Sequence, residues 1–153
     1  MADKMRWRYG ETNPVLGLVP STVGVEIGDL VYQDSDTVKP ASSQTNQTTK
    51  ALNQSVFAGR FLGVAMQKSP MGEASSIRIA TTGVFEFDTN TNTFVLGALV
   101  GVDELPGRTG LECQKVDTSV LAGAIGRVVR REPTTTNAIL VSIKSKITEG
   151  GVI

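Results

Sequence analysis

The stretch from Ser76 to Asp88 reads SIRIATTGVFEFD, and large apolar residues recur in it at every second position. The apolar face carries Ile77, Ile79, Phe85 and Phe87. A period of two residues is typical of a β-strand with one buried face and one exposed face. Gly83 interrupts the pattern, and a glycine inside a strand often marks a bend or a bulge. The stretch therefore predicts one long strand that bends at Gly83.

The same alternation returns near the end of the chain, over residues 138–148. One face there carries Ile139, Val141, Ile143 and Ile147. No stretch shows a long apolar period of 3.6 residues, and the chain contains 16 glycines among many Val, Ile, Ser and Thr residues. This composition is typical of β-proteins. We predict an all-β fold, a compact β-barrel or β-sandwich, with an extended N-terminal arm.

The sequence repeats itself in a fixed order. The matched positions are Gly28 with Gly97, Gly63 with Gly126, and Ile77 with Ile139. Two similar units can each cover the other's apolar side. We predict units at approximately 24–88 and 94–147 within a β domain of residues 21–153, preceded by an arm and linker of residues 1–20. Two polar stretches interrupt the pattern: residues 41–55 predict an exposed loop, with one helical turn near 50–54, and residues 88–92 predict a turn.

Length and composition exclude several classes of function. The chain has 153 residues, 15 basic and 15 acidic side chains, no histidine and one cysteine. A duplex-DNA binder normally carries a basic excess, and histidine is the commonest general base and a common metal ligand. No apolar run reaches the roughly 18 residues of a membrane span. We therefore expect no enzyme activity, no cofactor or metal, no nucleic-acid partner and no membrane partner, and synthesis in a reducing cytoplasm.

The few candidates for chemistry have simpler explanations. The nearest acidic pairs are Asp34 with Asp36 and Asp103 with Glu104, and closeness in sequence does not place two carboxylates across a cleft. Cys113 has no histidine to activate it, so we interpret it as a small core residue. A basic cluster, Arg127, Arg130 and Arg131, is interpreted as a solvated strand end or an ion-pairing patch.

The N-terminal segment alternates cations with large apolar residues. The cations are Lys4, Arg6 and Arg8, and the apolar residues are Met5, Trp7 and Tyr9. Trp, Tyr and Arg are enriched at binding hot spots, so all six residues are candidates for partner binding. The alternative is a first strand packed on its own domain. On the binding interpretation, we expect the β domain to fold without residues 2–12.

Short glycine motifs carry a resemblance that covers roughly residues 24–146. In the first unit these are Val25–Tyr32 (VEIGDLVY), Phe61–Ala65 (FLGVA) and Ile77–Phe87 (IRIATTGVFEF); in the second they are Gly97–Val100, Ile125–Val128 and Val141–Ile143. They resemble a small all-β family of head proteins found beside the major capsid genes of tailed bacteriophages. Two departures are Ala98 at the position of Asp29 and the long polar stretch from Ala41 to Ser55.

The resemblance implies a capsid decoration, or cement, protein. Such a protein binds the outer surface of the phage capsid and bridges neighbouring major capsid subunits, so the implied partner is the major capsid protein. The resemblance also implies a homo-oligomer on the capsid, with a trimer favoured over a dimer, and a location on the outer capsid surface after synthesis in the host cytoplasm. No catalytic residue carries over. The alternative function is a virion-surface module that binds a receptor or carbohydrate through Trp7, Tyr9 or Tyr32.

Overall fold

The computed structural model describes residues 3–148, so the first two residues of the predicted arm and residues 149–153 of the predicted β domain lie outside it. The described chain is an all-β protein of two closed five-stranded barrels, with one α-helix inserted between two strands of the first barrel. The prediction of an all-β fold built from two similar units is therefore confirmed, and the layout is barrels and not a sandwich. No helix within residues 3–148 is both long and apolar enough to cross a membrane.

Strand β1 (Trp7–Tyr9) lies in the arm, and five strands form each barrel. The first barrel contains β2 (Val15–Val19), β3 (Leu30–Asp34), β4 (Thr37–Pro40), β5 (Phe61–Ala65) and β6 (Ser75–Ala80). The second contains β7 (Val84–Phe94), β8 (Leu99–Glu104), β9 (Leu111–Thr118), β10 (Gly126–Val128) and β11 (Glu132–Ile143). The strand order is β2-β4-β3-β5-β6 in the first barrel and β7-β9-β8-β10-β11 in the second. Each barrel closes by parallel pairing of its first and third strands, so the two share one topology.

The repeated glycines occupy equivalent places in the two barrels. Gly28 and Gly97 both adopt positive φ, 97° and 85°, two residues before the second strand of their barrel. Val31, three residues after the first of these glycines, pairs with Gly63, and Val100 pairs with Gly126 in the same way. The third matched pair, Ile77 and Ile139, lies on β6 and β11.

The boundary between the units differs from the prediction. Residues 76–88 form the end of β6 and the start of β7, which belong to different barrels, and the chain turns at 81–83. The segment 15–19, assigned to the linker, is β2 of the first barrel. Its sequence, VLGLV, has apolar residues on both faces, so no alternation reveals the strand. The repeated units therefore span 15–80 and 84–143.

Helix α1 (Lys50–Arg60) contains the helical turn predicted near 50–54 but is longer than predicted, and it occupies the second part of the predicted exposed loop 41–55. Thr49 caps its first turn by accepting a hydrogen bond from the Leu52 N–H at 3.1 Å. The buried side chains are Asn53, Gln54 and Phe57, and because two of the three are polar, the sequence shows no apolar stripe. The predicted turn at 88–92 is also wrong, because β7 continues through it and pairs with β11.

The hydrophobic core has two parts. One fills the first barrel, with Val31, Leu62 and Ile79 among its residues. The other fills the second barrel and continues into the space between the barrels, where Leu30, Tyr32 and Phe61 of the first barrel join it. Strands β3 and β5 are therefore buried on both faces, and the two barrels pack closely against each other.

Candidate functional site

The N-terminal arm is both a strand of its own domain and an exposed surface. Strand β1 (Trp7–Tyr9) pairs antiparallel with β7 and adds a sixth strand to the sheet of the second barrel. Its apolar side chains nevertheless face solvent: Met5, Trp7 and Tyr9 are 48%, 40% and 51% exposed. We call these three residues the arm face. The backbone of the arm is thus held by the barrel, and its large side chains stay accessible.

Arg6 behaves differently from the other predicted binding residues, because only 4% of its surface is exposed. Its guanidinium donates to Gln114 Oε1 at 2.9 Å, to Asp88 Oδ1 at 3.1 Å and to the Glu86 carbonyl at 3.3 Å. Gln114 in turn donates to Asp29 Oδ1 at 2.9 Å, between the two barrels. Arg6 therefore anchors the arm to its own chain and is not accessible to a partner.

Burial and pairing shift two carboxyl groups of this network in opposite directions. The hydrogen bond from Arg6 holds the pKa of Asp88 below its ordinary value, although partial burial opposes the shift. Burial raises the pKa of Asp29, although hydrogen bonds from the Glu26 backbone and the Gln114 side chain oppose it. The carboxylate form of Asp88 is thus specifically stabilised by the arm.

The other two cations of the arm are exposed. Arg8 pairs with Glu86 at 2.9 Å, and its guanidinium also donates to the carbonyls of Met5 and Trp7 at 3.1 Å each. The Arg6 carbonyl accepts a hydrogen bond from the Glu86 N–H on β7. Because successive carbonyls of an extended chain point to opposite sides, those of Met5 and Trp7 point to the free edge of the sheet. Arg8 therefore covers an edge that another strand could otherwise pair with. Lys4 is exposed, and its backbone N–H donates to the Ile27 carbonyl at 2.9 Å.

The predicted basic cluster is divided in the structure. Arg130 pairs with Glu132 at 2.8 Å, whereas Arg127 borders a groove of about 1040 Å³ between α1 and the ends of β10 and β11. The groove also contains Lys144 and Lys146. In the sequence, the two lysines are recognisable only as part of the polar face of the last predicted strand. That pattern does not indicate that they line the same groove as Arg127.

Three of the four acidic candidates are bound to basic or amide groups of the same chain. Asp34 pairs with Lys39 at 2.7 Å, and Asp103 pairs with Lys50 at 3.0 Å. Glu104 accepts from Asn53 at 2.7 Å. Asp36 is exposed. Among residues 3–148, no group of three or more His, Cys, Asp or Glu side chains could hold a metal ion. Asp34, Asp103 and Glu104 are therefore engaged in ion pairs and hydrogen bonds within the fold.

Cys113 is buried on β9, and burial raises the pKa of its thiol to about 11. At pH 8 only about one such thiol in a thousand is ionised, and the thiolate is the reactive form. We expect the native protein to react with a thiol reagent such as DTNB roughly a hundredfold more slowly than the denatured protein. A stopped-flow absorbance trace in each state measures this, and equal rates would contradict the burial of Cys113.

Tyr32, the third aromatic candidate, is only 3% exposed. Its ring lies edge-on to Phe57, and the Arg60 guanidinium lies 4.3 Å from its centroid. Tyr32 is thus a core residue, and the arm face supplies the exposed aromatic rings at the candidate site. No family model matches this chain, and no curated protein or solved structure is significantly similar to it.

Proposed function

We propose that this chain is a phage capsid decoration protein that binds the outer surface of the shell and bridges neighbouring major capsid subunits through its arm face. The observation that carries the proposal is the exposure of Trp7 and Tyr9 on β1, and of Met5 just before it, in an arm held by strand pairing with β7 and by the Arg6 side chain. Because the backbone that carries these large apolar side chains is already ordered, binding through them costs little further conformational entropy. This arrangement favours the interpretation of the arm face as a binding surface over that of a strand that only packs on its own domain.

The rest of the molecule supports a structural role. Two closed barrels leave few sheet edges free, and Arg8 covers the edge at β1. Anything that binds the assembled shell more tightly than its separated subunits stabilises the shell by mass action. The proposal requires no reaction centre, and we expect no hydrolysis of esters, peptides, phosphates or glycosides.

Truncating the arm face is expected to weaken capsid binding and leave the fold intact. Buried aromatic anchors typically lose about 2 kcal/mol or more on truncation, so Trp7→Ala and Tyr9→Ala should each lower the affinity by about 30-fold or more. The assay is cosedimentation with empty capsids of the tailed phage that, on this proposal, encodes the chain. Leu52→Ala is a matched control, because Leu52 is a similarly exposed apolar residue on α1.

Unchanged affinity for both arm variants would contradict the proposed surface. Circular dichroism of each variant separates loss of binding from loss of fold. Wild-type protein that fails to sediment with these capsids would contradict the function itself.

The proposal includes assembly on the shell. A protein that bridges subunits of an icosahedral lattice can repeat its contacts by sharing the local symmetry, and we favour a trimer at local three-fold axes over a dimer. A capsid reconstruction at side-chain resolution tests this. Copies that touch neither each other nor more than one capsid subunit would contradict both the oligomer and the bridging role.

A second candidate function is carbohydrate or receptor binding at the virion surface. The exposure of Trp7 and Tyr9 on one face favours it, since sugars stack on exposed aromatic rings. A glycan array distinguishes the two functions. Selective glycan binding that is lost in Trp7→Ala, without capsid binding, would favour this candidate.

A further inference from the structure

The first strand of the first barrel, β2, is paired along only part of one edge. On one side, β6 pairs with every residue from Val15 to Val19. On the other side, within residues 3–148, β4 joins β2 only at Leu18, which pairs with Thr37. The part of β2 before Leu18 therefore has a paired strand on one side and none on the other.

Leu16 directs its backbone groups toward this free edge. It lies opposite Arg78 of β6, and residues that face each other in an antiparallel pair either exchange both backbone hydrogen bonds or exchange neither. The Arg78 N–H donates to Gln67 Oε1 at 2.8 Å, and the Arg78 carbonyl accepts from the Met66 N–H at 2.9 Å, so Arg78 does not bond to β2. The N–H and carbonyl of Leu16 therefore point away from β6, at an exposed position of the strand.

In the second barrel, the arm covers the equivalent edge. Asp88 is the first residue of β7 that pairs with β9, as Leu18 is the first residue of β2 that pairs with β4. Two residues before Asp88, the Glu86 N–H donates to the Arg6 carbonyl at 2.8 Å, and the Glu86 carbonyl accepts from the Arg6 guanidinium at 3.3 Å. Leu16 occupies the same position in the first barrel, two residues before Leu18. The shared topology thus indicates what fits the edge of β2: an antiparallel strand, as β1 is on β7.

The surface beside this edge is apolar. Leu16, Leu18 and Ile147 are 70%, 43% and 38% exposed, and all three line one cavity of about 330 Å³. The sequence of β2, VLGLV, contains no charged side chain. Natural proteins commonly protect a free strand edge with charged residues, as Arg8 covers the edge at β1. A free edge with apolar side chains and no such protection is suited to pairing with a strand of another protein.

We propose that the edge of β2 receives an extended segment of the protein to which the chain binds. The segment adds to the first barrel as an antiparallel strand. It accepts a hydrogen bond from the Leu16 N–H, donates one to the Leu16 carbonyl, and packs apolar side chains against Leu16, Leu18 and Ile147. The identity of that protein as a capsid subunit rests on the proposed function. Only residues 10–14 separate β1 from β2, so one partner can contact the arm face and this edge together.

Hydrogen exchange of the free protein tests whether the edge is open. The rates are measured by amide NMR of the full chain without a partner. We expect the Leu16 amide to exchange about a hundredfold faster than the Gly17 amide, or more, because alternation along the strand directs the Gly17 N–H to β6. Equal protection of the two amides would show that the chain itself or a second copy already covers the edge, and it would overturn the inference.

A short strand peptide tests the pairing without any capsid. The probe is Lys-Thr-Val-Thr-Val-Thr-Lys, and its control is the same peptide N-methylated at every residue between the two lysines, which removes the N–H groups that a strand needs for pairing. With the probe, we expect saturable amide shifts and slower exchange at Leu16. The control peptide should bind about tenfold more weakly or less. Equal binding of both peptides, or no binding of the probe, would overturn the inference.

A lysine on the edge should block the same pairing. Leu16→Lys replaces an exposed apolar side chain with a charged one and should weaken probe binding by about tenfold. Leu96→Lys is the matched control, because Leu96 is 67% exposed against 70% for Leu16 and lies in the turn before β8, outside the strands. Thermal unfolding of both variants shows whether either substitution disturbs the fold. Equal probe binding by wild type and Leu16→Lys would contradict the proposed edge.

The same variants separate this inference from the proposed function. Leu16→Lys should lower capsid affinity by about tenfold, whereas Leu96→Lys should not. Probe binding at Leu16 without any capsid binding would support the edge as a strand-binding site and contradict the proposed function. Capsid binding through the arm face, with no probe binding and no effect of Leu16→Lys, would contradict the inference and leave the proposed function standing.

Discussion

Gly63→Ala is expected to disrupt the first barrel. A Cβ atom at this position would overlap the carbonyl oxygen of Ala80 on the neighbouring strand and lie 2.9 Å from its carbonyl carbon. Both atoms belong to the backbone, so no side-chain rotation relieves the overlap, and β5 or β6 must move. We expect the free energy of unfolding to fall by about 3 kcal/mol or more, the upper range for overpacking. Urea denaturation followed by circular dichroism measures it.

Gly59→Ala is the matched control. Gly59 lies within α1, and a Cβ atom there would meet no other atom within 4 Å. Alanine stabilises a helix interior by about 0.5–1 kcal/mol relative to glycine, so this variant should be slightly more stable than the wild type. Gly126→Ala should resemble Gly63→Ala, because its Cβ atom would overlap the Ser142 carbonyl oxygen. Normal stability of Gly63→Ala would contradict the close approach of β5 and β6.

Arg6→Ala is expected to have the second large effect. It removes the guanidinium that joins the arm to Gln114 and Asp88, and it leaves the buried side chain of Gln114 without one of its contacts. Removing one partner of a buried charged pair costs about 3–5 kcal/mol, and the exposure of Asp88 reduces this to roughly 2–3 kcal/mol. Arg8→Ala breaks an exposed ion pair and should cost less than about 1 kcal/mol.

The effect of Arg6 should depend on pH. Arg6 lowers the pKa of Asp88, so the pair stabilises the fold above the unfolded pKa of about 4. This stabilisation is lost as the pH falls through the lower, folded pKa. The difference in unfolding free energy between wild type and Arg6→Ala should therefore shrink in acid. A difference that stays constant from neutral to acidic pH would show that Asp88 contributes nothing to it.

The role of Arg6 bears on one expectation from the sequence. The binding interpretation predicts that the β domain folds without residues 2–12, and Arg6→Ala probes this prediction because Arg6 connects the arm to β7 and β9. Alternation along the arm correctly indicated an apolar face and a cationic face. It could not show that one cation is buried, because Gln114 and Asp88 are distant in the sequence and only the fold brings them near.

The sequence was most informative where glycine and alternation coincide. Gly28 and Gly97 lie in equivalent turns of the two barrels, and their match in the sequence predicted the two similar units. The boundary near Gly83 could not be predicted, because the alternation runs through the turn from one barrel into the next. The sequence indicated only one turn of helix α1, because its buried residues Asn53 and Gln54 are polar and hydrogen-bonded and therefore form no apolar stripe.

The packing of the first barrel has a consequence for the origin of the chain. Shared strand order and matched glycines are what duplication and fusion of a half-length gene produce. The outer face of β3 and β5, with Leu30, Tyr32 and Phe61, is covered partly by Phe57 of α1 and partly by the second barrel. A half-length ancestor with the same face would have exposed the part that α1 leaves uncovered unless two copies associated. Fusion makes that association permanent and independent of protein concentration, and it frees each half to diverge.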